Sequence, residues 1–231
     1  MHCHPIRLVL LGPPAAGKGT QAELLKSRFG FQAPSVGGML RDQKSAGTPA
    51  GLRAAGYFER GLLVPDEITI EVVRQWLAGN DGSWALDGYP RTVRQAEAFD
   101  TMLREHDAAV DLAILILVDE PVIRDRVMHR VICKSCGGIF RAPSTPPTPS
   151  APCPRCGAPL SRRADDTLEA LADRLSEYRT KTEPVNAHYE QRGILHRIDG
   201  ARPPETVFAD ICVMIESHRP EEACRPYVDP H

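Results

Sequence analysis

Apolar positions fall along this chain in two kinds of run. Short, apolar-rich stretches occur at residues 6–11 (IRLVLL) and 112–118 (LAILILV), with shorter strand-like ones at 84–87 (WALD) and 194–198. Short apolar runs without alternation suit strands buried on both faces of a sheet. Between them, helical patterns cover residues 18–28, 36–43, 49–59, 66–77, 93–105, 120–130, 167–190 and 204–217. Helix-stopping and turn residues mark the breaks: Gly30, Gly47-Thr48-Pro49, and the stretch from Gly61 to Pro65. Pro184 should disturb the long helix over 167–190, because proline removes a donor and crowds the preceding turn. Strands alternating with helices predict an α/β domain with a parallel sheet covered on both faces. In such sheets ligands bind at the carboxyl ends of the strands.

Residues 131–164 follow neither pattern. They hold four cysteines and few apolar residues, and the stretch 142–152 (APSTPPTPSAP) favours a stiff, extended loop. At 231 residues the chain is one ordinary domain with room for an insertion, and residues 131–164 are where composition departs. A net charge of −2 argues against a global nucleic-acid footprint. No apolar run approaches the roughly 18–20 residues of a membrane span. The first residues lack the long apolar stretch and cleavage site of a secretory signal, so a cytoplasmic location is expected. The tail from His218, with Pro220, Pro226 and Pro230, should be weakly ordered.

The cysteines sharpen this picture. Of seven, four form two Cys-x-x-Cys pairs, Cys133/Cys136 and Cys153/Cys156, each followed by glycine and separated by sixteen residues. That clustering is unlike a disulfide framework and matches a tetrahedral structural zinc site in a reducing compartment. Four sulfur ligands leave no open position for catalysis, and metal binding would supply the insertion's folding free energy. An alternative reading is a zinc ribbon touching nucleic acid through Lys134, Arg141, Arg155, Arg162 and Arg163. Cys3, Cys212 and Cys224 have no partner at metal spacing; Cys212 is expected in the core and Cys224 exposed.

Gly12-Pro13-Pro14-Ala15-Ala16-Gly17-Lys18-Gly19-Thr20 follows the first strand and opens a helix. Small residues let backbone N–H groups turn inward around a phosphate, and the helix N-terminus adds its positive end. Lys18 supplies a point charge for the outer phosphates. The run is one residue off G-x-x-x-x-G-K-[ST]: Gly19 stands where a hydroxyl is expected, and the hydroxyl comes at Thr20. Asp87 ends a strand, a place suited to a carboxylate that organises magnesium and its waters, or to a helix cap. Asp119 ends the next strand and reads as a helix cap. Arg126 and Arg130, four apart on a helix, share one face.

The Gly-Lys-Gly-Thr spacing resembles the nucleoside monophosphate kinases, specifically the adenylate kinases. Asp87-Gly88-Tyr89-Pro90-Arg91-Thr92 followed by Gln95 resembles that family's DG[FY]PRT signature. Met39-Leu40-Arg41, Gly61-Leu62-Leu63-Val64-Pro65-Asp66-Glu67, and Arg162-Arg163-Ala164-Asp165-Asp166 with Arg174 resemble its further segments, in family order.

The resemblance implies a P-loop NTPase-type, five-stranded parallel sheet in a core of residues 1–35, 80–130 and 165–217. It also implies a helical monophosphate-binding subdomain (36–79), a zinc-bearing lid (131–164) and a C-terminal tail (218–231). The implied reaction is reversible, magnesium-dependent phosphoryl transfer from ATP to AMP, giving two ADP, by a monomer with no nucleic-acid partner. Lys18, Arg91, Arg126, Arg130, Arg163 and Arg174 would be catalytic, since guanidinium forks suit the equatorial oxygens of a transferred phosphoryl group. ATP would meet Ala15, Ala16, Gly17, Lys18, Gly19, Thr20, Arg126, Ile139, Phe140 and Arg202. AMP would meet Val36, Arg41, Leu62, Leu63, Val64, Gly88, Arg91, Gln95, Arg163 and Arg174. Arg162 and Arg179 are read as solvated. Val36 replaces the family's threonine, a feature shared with pyrimidine monophosphate kinases, which makes CMP or UMP the rival acceptors. Gln95, whose amide can pair with an adenine edge, and the zinc lid favour AMP.

Overall fold

A computed structural model describes residues 4–59, 63–142, 151–162 and 166–218. Four parallel strands form the sheet: β1 (Arg7–Leu11), β2 (Trp84–Asp87), β3 (Leu112–Leu117) and β7 (Leu195–Asp199), in the order β2-β1-β3-β7. Registers run Leu10 with Asp87, Leu8 with Leu112 and Ala113 with Leu195. The implied fifth strand is present only as isolated parallel bridges beyond β2, Gln32 to Trp84 and Ser35 to Asp87. Pro34 accepts from the Asp87 N–H but has no N–H to return, so a regular ladder cannot form there.

Helices cover both faces. Helix α1 (Lys18–Phe29) and α9 (Pro204–Ser217) close one face over Leu8, Leu10, Ile114, Ile116 and Ile198. On the other face Val9, Leu11, Leu86, Ala113 and Leu115 join one apolar cluster with α2 (Val36–Ser45), α3 (Pro49–Glu59), α4 (Asp66–Leu77), α5 (Val93–Arg104) and α8 (Val185–Gln191). The expected helical subdomain therefore shares its core with the sheet. Ser35 and Thr92 cap α2 and α5 by accepting from the Gly38 and Gln95 N–H groups.

Helix α6 (Glu120–His129) leads into a small antiparallel sheet of β4 (Arg130–Cys133), β5 (Ile139–Arg141) and β6 (Leu160–Ser161), ordered β5-β4-β6. The chain returns through α7 (Leu168–Glu177). The single helix expected over 167–190 is divided. A π-helical turn at Tyr178–Thr182 separates α7 from α8, and its bond from the Glu183 N–H to the Tyr178 carbonyl spans five residues. Pro184 is the cause: it cannot donate, and widening the turn relieves its clash. Cys212 is only partly buried on α9, not in the core as expected. Cys3, Cys224 and the tail beyond His218 lie outside the described residues.

Candidate active site

Where β1 ends, the chain turns through the glycine-rich loop into α1. Ala15 adopts φ 59, a left-handed conformation uncommon without glycine, and Gly17 has φ 108. Such alternation turns successive N–H groups toward one point, an anion-binding concavity. The loop is braced from behind by Arg126, which donates to the carbonyls of Ala16 (2.9 Å), Ala15 (3.4 Å) and Gly200 (2.5 Å). Its placement serves the loop's shape. The Lys18 ammonium donates to the carbonyls of Gly12 and Pro13, each at 2.8 Å.

Lys18 carries the electrostatic signature of the site. Burial pushes its pKa down from 10.5 to about 8; Asp87 opposes that shift, while Arg91, Arg174 and Arg130 add to it. Four groups drawn from three separate parts of the chain are thus close enough to act on one ammonium, and such perturbed groups in a cleft mark functional sites. Gly19 brings the α1 start against Asp87. A Cβ there would lie 3.4 Å from the Asp87 carboxylate and 3.6 Å from Ile139 of β5. The insertion therefore reaches over the loop.

A cleft open to solvent runs along the carboxyl ends of β1 and β2. Its walls include Lys18, Leu63, Gly88, Arg91 and Arg174, all expected. Gly88, at φ 74, lets Arg91 fold back over it: the Arg91 side chain donates to the Gly88 carbonyl at 2.9 Å, and a Cβ at 88 would sit 3.1 Å from the guanidinium. Glu177, Tyr178 and Thr182 complete the wall and were not expected. The signal for them was Pro184, which forces the π turn that carries Tyr178 and Thr182 into the cleft.

Arg130 forms a two-pronged ion pair with Asp166; its side chain is 11% exposed and that of Asp166 is 0%. Asp166 was read only as part of a motif. Arg162, expected in solvent, is exposed and donates to the Asp166 carbonyl at 2.5 Å. Arg179 is exposed and pairs with Glu120, as a surface group would. Arg202 pairs with Asp210 and donates to the Asp199 carbonyl, beside the Gly200 carbonyl that holds Arg126. Asp119 occupies the start of α6, but its side chain makes no capping bond.

On the acceptor side, Val36 is buried in the apolar cluster shared with Tyr89, and Val64 joins it. Arg41 is exposed, beside Gly37. Gln95 is 1% exposed, and both ends of its amide are engaged. Its oxygen accepts from the Arg91 N–H at 2.7 Å, and its nitrogen donates to Asp66 at 2.6 Å. Leu62 and Arg163 lie outside the described residues. Phe140 is half-buried on β5, and Ala16 is buried beneath the loop.

The four insertion cysteines fit a metal. Their sulfurs all lie within 4.8 Å of one another, with Cys133 to Cys156 at 3.5 Å and Cys136 to Cys153 at 3.7 Å. A tetrahedron with Zn–S of about 2.3 Å has edges of about 3.8 Å, whereas a disulfide needs about 2.05 Å. Gly137 and Gly157, with φ 72 and 76, end the two knuckles alike.

A phosphate-binding loop at the carboxyl end of a parallel sheet, with cations gathered around it and a cysteine-bearing insertion reaching over it, defines a P-loop enzyme acting on nucleotide phosphates. The adenylate kinase family profile matches residues 10–194. The chain is 41% identical over 212 residues to the adenylate kinase of Clostridium botulinum (strain Alaska E43 / Type E3), covering 91% of this chain and 99% of that one. It is 44% identical over 208 residues to that of Geobacillus sp. (strain WCH70), covering 89% and 96%. It is 38% identical over 213 residues to that of Archaeoglobus fulgidus, covering 91% and 98%. The chain belongs to the adenylate kinase family. It is a phosphotransferase working between ATP and AMP, and adenylate kinases use magnesium with ATP. Among the described residues, no helix is long and apolar enough to cross a membrane.

Proposed function

We propose that ATP seats its phosphates in the loop from Ala15 to Thr20 and AMP enters between Arg91 and the Leu63–Val64 wall. Phosphoryl transfer then takes place in the cleft between them. The observation that carries this reading is geometric: Lys18, Arg91 and Arg174 line one cleft, Lys18 is held there by the Gly12 and Pro13 carbonyls, and Asp87 and Arg130 are close enough to act on its ammonium. A cleft on which so many cationic side chains converge is complementary to polyphosphate. Its donors act on oxygens where charge develops, and no side chain need serve as base in a loose transfer.

In this reading Lys18 leaves the Gly12 and Pro13 carbonyls for the phosphates. Arg91 and Arg174 lie across the cleft from the loop and hold the acceptor phosphate and the moving group. Arg130, fixed by Asp166, supplies charge from the root of the lid. Arg126 serves ATP by holding the loop in shape. Asp87, facing Gly19, suits magnesium held through water, an ion that would neutralise phosphate charge when bound. Cys133, Cys136, Cys153 and Cys156 would hold a structural zinc that stiffens the lid, bringing Ile139 over the loop and excluding water. Residues 36–79 act as acceptor subdomain, 131–164 as lid, and 1–35, 80–130 and 165–217 as core of a cytoplasmic monomer that needs no nucleic-acid partner.

The test is Lys18→Ala. ADP formation from ATP and AMP should fall by at least a hundredfold while bound zinc stays at the wild-type level. Full activity in that variant would overturn the assignment of the phosphate loop.

A further inference from the structure

The buried amide of Gln95 is held at both ends by groups of fixed character. The Arg91 backbone N–H can only donate, and the Asp66 carboxylate can only accept. Oxygen must therefore face Arg91 and nitrogen must face Asp66; the reverse would set oxygen against carboxylate and N–H against N–H. Asp66 is itself held, because its second oxygen accepts from the Thr92 hydroxyl at 2.8 Å. One amide hydrogen and one oxygen lone pair of Gln95 have no partner among the described residues, in a side chain that is 1% exposed. Buried polar groups are normally satisfied, so this unused half of the amide points to a ligand.

We propose that Asp66 is a specificity-determining positioning residue: by locking the Gln95 amide in one orientation, it makes the acceptor site accept 6-aminopurine and reject 6-oxopurine monophosphates. This rests on the reading that Gln95 faces the acceptor base. Adenine presents a donor at its 6-amino group and an acceptor at N1. Hypoxanthine and guanine present an acceptor at O6 and a donor at N1. The two patterns are mirror images along one edge, so a freely flipping amide serves both and a locked one serves a single pattern. Locked as observed, the free lone pair takes the 6-amino hydrogen and the free N–H meets N1. A 6-oxopurine in the same seat would oppose oxygen to oxygen and N–H to N–H. Asp66 touches no substrate in this scheme; it acts through Gln95. The loss of any one hydrogen bond to the base would weaken AMP binding, but only loss of the lock lets the opposite pattern in.

The experiment compares kcat/KM for AMP with that for IMP, which differs from AMP only at the 6-position and N1. Wild type, D66N and Q95A are measured with ATP as donor. D66N is isosteric but can donate or accept, so the lock is lost at that end and only the Arg91 N–H still favours the observed orientation. The AMP-to-IMP ratio should fall at least fivefold, through a higher KM for AMP and a lower KM for IMP more than through kcat. A merely structural role at the start of α4 would lower stability or activity with both acceptors and leave the ratio in place. Should D66N fail to fold, Asp66→Ser, which suits a helix start and also donates or accepts, is read by the same criterion. A ratio less than fivefold below wild type in the Asp66 variant, with Q95A collapsing it, would overturn the inference and leave Gln95 as the base reader. A ratio unmoved in Q95A would overturn the reading of Gln95 itself, and the inference with it. A wild-type enzyme that uses IMP as readily as AMP would also overturn it.

Discussion

Lys18 should take up a proton when ATP binds above neutral pH. In the free protein its pKa is lowered from 10.5 to about 8, first by burial and then by Arg91, Arg174 and Arg130. That difference amounts to about 3 kcal/mol held against the charged form. Polyphosphate adds negative charge beside that of Asp87 and returns the pKa toward its ordinary value or above. At pH 8.5 a group with a pKa near 8 is about one-quarter protonated, so binding should draw in about 0.7 proton per site; at pH 6.5 it should draw in almost none. Titration calorimetry of MgATP, without AMP, in buffers of different ionisation enthalpy measures the uptake directly. Lys18→Met should abolish it. The same shift has a consequence for stability. Because the folded pKa is depressed, the penalty is fully present below about pH 8 and is relieved as pH rises from about 8 to 10.5, where the unfolded chain holds the proton and the folded one does not. Absence of proton uptake at pH 8.5, or equal uptake in the Lys18→Met variant, would refute the claim that the buried Lys18 amine gains its charge when phosphate arrives.

Asp166→Asn should destabilise the protein by about 3–5 kcal/mol, because it leaves the Arg130 guanidinium buried without its counter-charge; thermal unfolding reads this, and an unchanged midpoint would show that water compensates. Metal analysis of purified protein should give about one zinc per chain, lost in Cys153→Ser. Chelation should lower the midpoint of unfolding, since the insertion has little apolar core of its own and draws its folding free energy from the metal. Protein that is metal-free and unmoved by chelator would contradict the zinc lid.

Much of this was legible in the chain because local signals agreed with one another. Short apolar runs placed the four strands of the parallel sheet, though His196 and Arg197 interrupt the last, and the starts of α3, α4 and α9 follow from Pro49, Pro65 and Pro203-Pro204. The cysteine spacing anticipated four sulfurs at tetrahedral distances. What escaped depends on contacts distant in sequence. Pro184 announced a disturbance, but only packing shows that the widened turn delivers Tyr178 and Thr182 to the cleft. Arg126 and Arg130, four apart, were expected to share a helix face, but α6 ends at His129 and Arg130 opens β4 in extended backbone, so they turn to different tasks. One braces the loop through carbonyls 110 and 74 residues away in sequence, and the other pairs with Asp166, 36 residues on. Asp66 belongs to an obvious motif, but its grip on Gln95 spans 29 residues and has no signature in spacing. The edge segment at 32–35 reads as a strand only through its neighbours, since Pro34 removes the donor that a strand would use.

The most direct measurement of the central claim is ADP formation from ATP with each acceptor in turn, AMP, CMP, UMP and GMP, at equal concentration with magnesium present. Replacing a threonine hydroxyl by the Val36 methyl removes at most one neutral hydrogen bond, about 1 kcal/mol, too little to override a base-reading amide. The account predicts AMP well ahead of the other three. Turnover of CMP equal to or faster than that of AMP would contradict it.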